Sequence, residues 1–187
     1  MTRPPERRRP AVGATVPARP RAGATGPPFV VDVEASGFGP SGYPIEVGVA
    51  MDEGRRASRL IRPAAGWTHW DAGAERVHGI ARDTLLARGG SVAEVAGALN
   101  GWLAGRTVYS DAWVVDRPWL AMLFRAAGLP MAFSVSPVEA LLSEARLAIW
   151  DAVKREVIAE LGATRHRASQ DAWVVQETLV RVRRRAG

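Results

Sequence analysis

The chain has 187 residues, 47% apolar and 24% charged, which suits one domain with a real core. It has no cysteine, so disulfides and thiolate metal sites are excluded, and no apolar run approaches the roughly 20 residues needed to cross a bilayer. The net charge of +6 is uneven: residues 1–28 carry six Arg and one Glu, and Arg181–Gly187 carries four Arg. The body between has more acids than bases, which does not fit a uniformly basic nucleic-acid-binding surface, while basic ends could hold phosphates loosely.

Residues 1–28 are rich in Pro, Arg, Ala, Gly and Thr without apolar periodicity, and are expected to be a disordered basic tail. Their prolines argue against the amphipathic helix of a transit peptide, and the lack of a secretory signal favours the cytoplasm. The folded domain is expected over residues 29–187. Phe29–Ala35 reads as an apolar strand running into the Ser36-Gly37 turn. Ile45–Met51 and Ser58–Ile61 read as two more strands, joined by an Asp52-Glu53-Gly54 hairpin turn. Asp71–Arg88 holds short helical pieces around Val77-His78-Gly79-Ile80. Val92, Val95, Ala96, Leu99 and Leu103 mark an amphipathic helix with Ser91 as its N-cap. Thr107–Tyr109 is a fourth strand, Pro118–Ala127 a helix stopped by Gly128, and Ala132–Val135 a fifth strand. Pro137–Leu161 is mostly helical, in two pieces, and Ala168–Arg185 is the last helix. Three strands followed by alternating helices and short strands indicate an α/β layer fold.

The acids are placed unusually. Side chains alternate faces along a strand, so Asp32 and Glu34 project to one side and Phe29, Val31 and Val33 to the other. Two carboxylates on one strand face are costly to bury unless a cation accompanies them, and hard divalent ions prefer carboxylate oxygen. Alone, the pair also reads as a solvated strand end. Asp116 precedes Pro118, where an N-cap is the plain reading, and Asp111 has an equally plain reading as a turn residue. His166 and Asp171 lie five residues apart. That is about 140° of rotation on a helix, so they share one site only if His166 sits on a bent loop before the final helix.

Together, Asp32-x-Glu34, Asp116-x-x-Trp119-Leu120 and His166-x-Ala168-x-x-Asp171 resemble the three motifs of the DEDDh, or DnaQ-like, 3′–5′ exonucleases. The order and spacing match over Phe29 to about Arg185. The resemblance implies a ribonuclease-H-like fold: a mixed five-stranded sheet, three antiparallel strands then parallel ones, flanked by helices. It implies hydrolysis of phosphodiesters at the 3′ end of DNA or RNA, releasing nucleoside 5′-monophosphates with two Mg²⁺ or Mn²⁺ ions. By motif match, Asp32, Glu34 and Asp171 hold one ion, Asp32 and Asp116 place the second, and His166 takes a proton from the attacking water. Ala35, Ser36 and Gly37 would lie against the terminal nucleotide. The partners implied are a nucleic acid with a free 3′ end, single-stranded, and a second copy as a homodimer, with no membrane.

The sequence departs from the family at two places. Ala35 stands where Thr is common, and Asp111-Ala112 stands where Asn-Ala is usual, which makes Asp111 a rival to Asp116. Glu46, on the neighbouring strand, is expected to be structural. The competing readings are a catalytically weak or inactive nucleic-acid-binding module on the same fold, and a plain interaction protein with a basic tail.

Overall fold

The computed structural model describes residues 26–162 and 166–185. The expected tail therefore lies almost wholly outside the described residues, as do Ala163, Thr164 and Arg165 of the Gly162–Arg165 segment expected to allow the bend before His166. The elements run β1 (Val30–Ala35), β2 (Pro44–Ala50), β3 (Arg56–Leu60), α1 (Ala72–His78), α2 (Arg82–Arg88), α3 (Val92–Leu103), β4 (Thr107–Ser110), α4 (Trp113–Ala127), β5 (Ser134–Pro137), α5 (Glu144–Ala148), α6 (Trp150–Leu161) and α7 (Ala168–Arg185). Short 3₁₀ turns cover Asp52–Gly54 and Val138–Leu141.

The five strands form one sheet in the order β3-β2-β1-β4-β5. β1, β2 and β3 are antiparallel, whereas β4 and β5 run parallel to β1. This is the mixed five-stranded architecture expected of a ribonuclease-H-like domain.

The alternation in β1 decides how the layers stack. Val31 and, more partially, Val33 join Val47, Val49 and the apolar faces of α3 and α4 in the main core. Val30 faces the opposite layer, with Ala172, Val175 and Leu179 of α7. Asp32 and Glu34 share the face of Val30, so they point at α7. Helix α6 packs behind α7 through Val153 and Val157 against Val174 and Val182. α3 begins as its sequence suggests: Ser91 and Glu94 form a reciprocal capping box.

α4 differs from expectation. It starts at Trp113, five residues before Pro118, which lies inside the helix. Ser110 Oγ accepts the Ala112 amide at 3.0 Å, closing a turn that launches the helix early. Asp116 is therefore inside the first turn of α4 and is not its cap. β5 likewise begins two residues later than expected, at Ser134.

Candidate active site

Parallel strands of an α/β sheet leave a crevice beyond their carboxyl ends. The ends of β1 and β4 open here into a cleft of about 670 Å³. Asp32, Glu34, Ala35 and Gly37 enter it from β1 and its turn, Asp111 and Asp116 from the β4–α4 junction, and His166 and Asp171 from the start of α7. The structure thus gathers every acid and the histidine singled out in the three motifs. Asp111 joins them without displacing Asp116. Ser36 is not among the lining residues. It is fully buried, and its hydroxyl accepts the Tyr43 amide at 3.1 Å, so it shapes the turn between β1 and β2.

Gly48 brings α7 into place. It pairs with Asp32 across β1 and β2. A Cβ there would lie 2.1 Å from the Ala168 carbonyl carbon and the Ser169 nitrogen. The start of α7 can rest directly on the sheet, beside Asp32, because residue 48 has no side chain. Gly37, at φ +145°, makes a second close approach, with Asp71 Cβ and His69 Nε2 within 3 Å of where its Cβ would stand.

Glu46 holds the loop before α7. It pairs with Glu34 across the same two strands and is almost fully buried. Its carboxylate accepts from Arg167 Nε at 3.0 Å, from Arg167 Nη2 at 2.9 Å and from the Ala168 amide at 3.1 Å. This bidentate grip is a rigid arrangement. Next to it His166 is, among the described residues, the only non-glycine at positive φ, +62°. Its amide donates to Asp171 Oδ2 at 2.8 Å. A left-handed residue is the bend that lets His166 and Asp171 meet despite their five-residue spacing.

Asp116 is oriented by Ser110, whose hydroxyl donates to Oδ2 at 2.5 Å. Burial still pushes its carboxyl up to about 7, with the charge of Asp111 adding to the rise, while bonds from Ser110 and the Val33 backbone oppose it. Glu34 is also pushed up to about 7, by burial first and then by Asp171, Glu46 and Asp116. Asp32 lies well above the usual carboxylate range, again through burial and then Asp116, Glu34, Asp171 and Asp111. Buried acids that repel one another in this way hold protons at a pH where carboxylates are ordinarily ionised. A divalent cation would relieve both causes. A carboxylate oxygen from each of Glu34 and Asp171 and a ring nitrogen of His166 lie within 4.8 Å of one another, a spacing one ion can span. The donor set therefore fits a hard divalent metal. It also admits His166 as a ligand in addition to the proton-acceptor role, and the group of three does not include Asp32.

His78 also lines the cleft, at the end of α1. It is buried, its Nδ1 accepts the Ile80 amide at 3.0 Å, and burial lowers its affinity for a proton. The ring is thereby fixed as part of the turn after α1. Phe38 and Lys154 are among the lining residues that carry no motif and leave no signal in the sequence. Phe38 is 83% exposed at the mouth, and Lys154 of α6 bonds Asp111.

No protein-family model matches the sequence, and no curated protein matches it significantly. Solved structures do match the fold. Exonuclease I from Methylocaldum szegediense superposes with a TM-score of 0.64 at 15% identity, over 84% of this chain and 40% of that one. A second exonuclease I structure gives 0.63 at 14%, covering 82% and 40%. A zinc-bound E. coli exonuclease I complex with single-stranded DNA gives 0.58 at 14%, covering 84% and 41%. The chain spans about 40% of the length of these neighbours. At such identities the likeness concerns the fold, an α/β fold of the ribonuclease-H-like exonuclease type. Among the described residues, no helix is long and apolar enough to cross a membrane.

Proposed function

We propose that this protein is a metal-dependent 3′–5′ exonuclease that removes nucleoside 5′-monophosphates from a single strand of DNA or RNA. One observation carries the reading. Carboxylates from β1, α4 and α7, far apart in sequence, converge in one cleft with His166, where burial and mutual repulsion favour a bound cation. The exonuclease I neighbours, one of them holding zinc and single-stranded DNA, support it at the level of fold.

In this reading Asp32, Glu34, Asp116 and Asp171 hold two Mg²⁺ or Mn²⁺ ions. Such ions, when bound, stabilise the attacking and leaving oxygens of a phosphodiester. Ser110 fixes the direction of the Asp116 carboxylate. Glu46, through Arg167 and the Ala168 amide, fixes the backbone on which His166 sits. His166 accepts the proton of the attacking water at a ring nitrogen, a general-base task that histidine performs more often than any other side chain. Ala35 and Gly37 bring backbone against the terminal nucleotide, and the exposed Phe38 beside them offers a face on which a base can stack.

The test is incubation of matched DNA and RNA single strands with Mg²⁺ or Mn²⁺. Nucleoside 5′-monophosphates should appear and should stop appearing when a chelator is added. Internal fragments without mononucleotides, or no product from either strand, would overturn the reading.

A further inference from the structure

Of the 25 Lys and Arg residues in the chain, one is a lysine, Lys154. Among the described residues that line the cleft it is also the only Lys or Arg. It stands on α6 beside Val153, whose burial against α7 fixes the base of the side chain. Its Nζ bonds Asp111 Oδ2, with 24% of the lysine side chain and 18% of the aspartate side chain exposed.

The two basic residue types behave differently. Guanidinium is a planar fork that suits a fixed carboxylate, whereas ammonium is a compact charge on a flexible stem that exchanges partners by rotating. This chain uses Arg for its other described ion pairs, including Arg167 on Glu46, Arg181 on Glu160 and Arg185 on Glu156. The exception faces the acids. Asp111 lies close enough to raise the proton affinity of Asp32 and Asp116, so Lys154, its partner, stands beside the same centre.

We propose that Lys154 is a substrate-contacting residue whose ammonium moves from Asp111 to a backbone phosphate of the bound strand. Asp111 is then its resting partner, holding the cation in the cleft before the strand arrives. A negatively charged strand entering a cleft lined by six carboxylates, Asp71 among them, meets repulsion, and a mobile cation at the wall offsets part of it. The assignment rests on the nucleic-acid reading of the cleft.

The experiment is a double-mutant cycle, because pairing with Asp111 alone is the rival explanation. Lys154→Met, which keeps the stem, is compared with its parent in both the wild-type and the Asp111→Asn background. Contact with phosphate predicts about a tenfold loss of kcat/KM in both backgrounds, carried by KM. It also predicts a slope of log Kd against log salt flatter by about 0.7 for a cleavage-resistant phosphorothioate single strand. A loss confined to the wild-type background would show that the lysine only neutralises Asp111 and would overturn the proposal, as would an unchanged salt slope. Arg155→Ala, an exposed neighbour on α6, should change neither quantity. Since Lys154 is the sole lysine, acylation of its amine read by peptide mass gives a measurement independent of turnover. The bound strand should protect it, and equal labelling with and without the strand would overturn the contact. A wild-type protein that neither binds nor shortens the strand refutes both this assignment and the nuclease reading. A wild-type protein that does both, with Lys154→Met unaltered, refutes this assignment alone.

Discussion

Glu34→Gln should stabilise the metal-free protein at alkaline pH while removing its activity. The Glu34 carboxyl titrates at about 7 in the folded chain against 4.5 for an ordinary glutamate, chiefly through burial. Between those values the folded chain holds a proton that the unfolded chain has released. Stability therefore falls as pH rises through that window, is unaffected below it, and carries the full cost above pH 7. At about 1.4 kcal/mol per pH unit, the cost accumulates to the order of 3 kcal/mol. Each kcal/mol moves Tm by about 2–4 °C in a domain of this size, so about 6–12 °C is at stake. Asp116, also raised to about 7, acts in the same direction. The assay is thermal unfolding in a chelator at pH 4.5, 6 and 8. Wild type should lose Tm as pH rises, and Glu34→Gln should lose less and melt higher than wild type at pH 8. Added Mg²⁺ should raise the wild type more than the variant. A wild-type Tm that is flat or rises from pH 4.5 to 8 in chelator, with the variant no more stable at pH 8, would refute the reasoning.

Three further outcomes follow from single contacts. His166→Ala should lower kcat by about 10²–10⁴-fold and recover partly at high pH, where hydroxide is more abundant; a near-normal rate at neutral pH would remove the histidine from the proton step. Glu46→Gln should weaken the grip on Arg167 and the Ala168 amide. It should cost about 1–3 kcal/mol in urea unfolding, because Arg167 is 44% exposed and can turn to water, and it should lower kcat more than it raises KM. Equal kcat with lower stability would make the contact structural only. Gly48→Ala places a methyl against the α7 backbone and should lower both Tm and activity, whereas Gly97→Ala in α3, which meets nothing within 4 Å, should raise Tm slightly. A normal, active Gly48→Ala would mean that α7 does not need the close approach.

Local signals were legible in the sequence where one mechanism acted alone. Ser91 as N-cap and the apolar spacing after it located α3, and the period-two pattern of β1 put Asp32 and Glu34 on one face, which in the structure is the face of Val30 and α7. The start of α7 at Ala168 was equally clear. α4 was misjudged because proline usually marks the first helical position, while here the Ser110 hydroxyl nucleates the helix five residues earlier. That shift changes Asp116 from a cap into a buried side chain held by Ser110. The Glu46–Arg167 clamp joins residues 121 apart and leaves no local pattern in the chain. Lys154 was invisible for a related reason: only tertiary packing of α6 brings it to Asp111, 43 residues earlier.

The most direct test of the central claim compares wild type with Asp32→Ala on a single strand labelled at its 5′ end, in Mg²⁺. Wild type should produce a ladder that shortens one nucleotide at a time from the 3′ end. Asp32→Ala should leave the strand intact while melting at or above the wild-type temperature in chelator, since it removes a buried, repelled carboxylate. A folded Asp32→Ala protein that shortens the strand at the wild-type rate would contradict the assignment of this cleft as the catalytic centre.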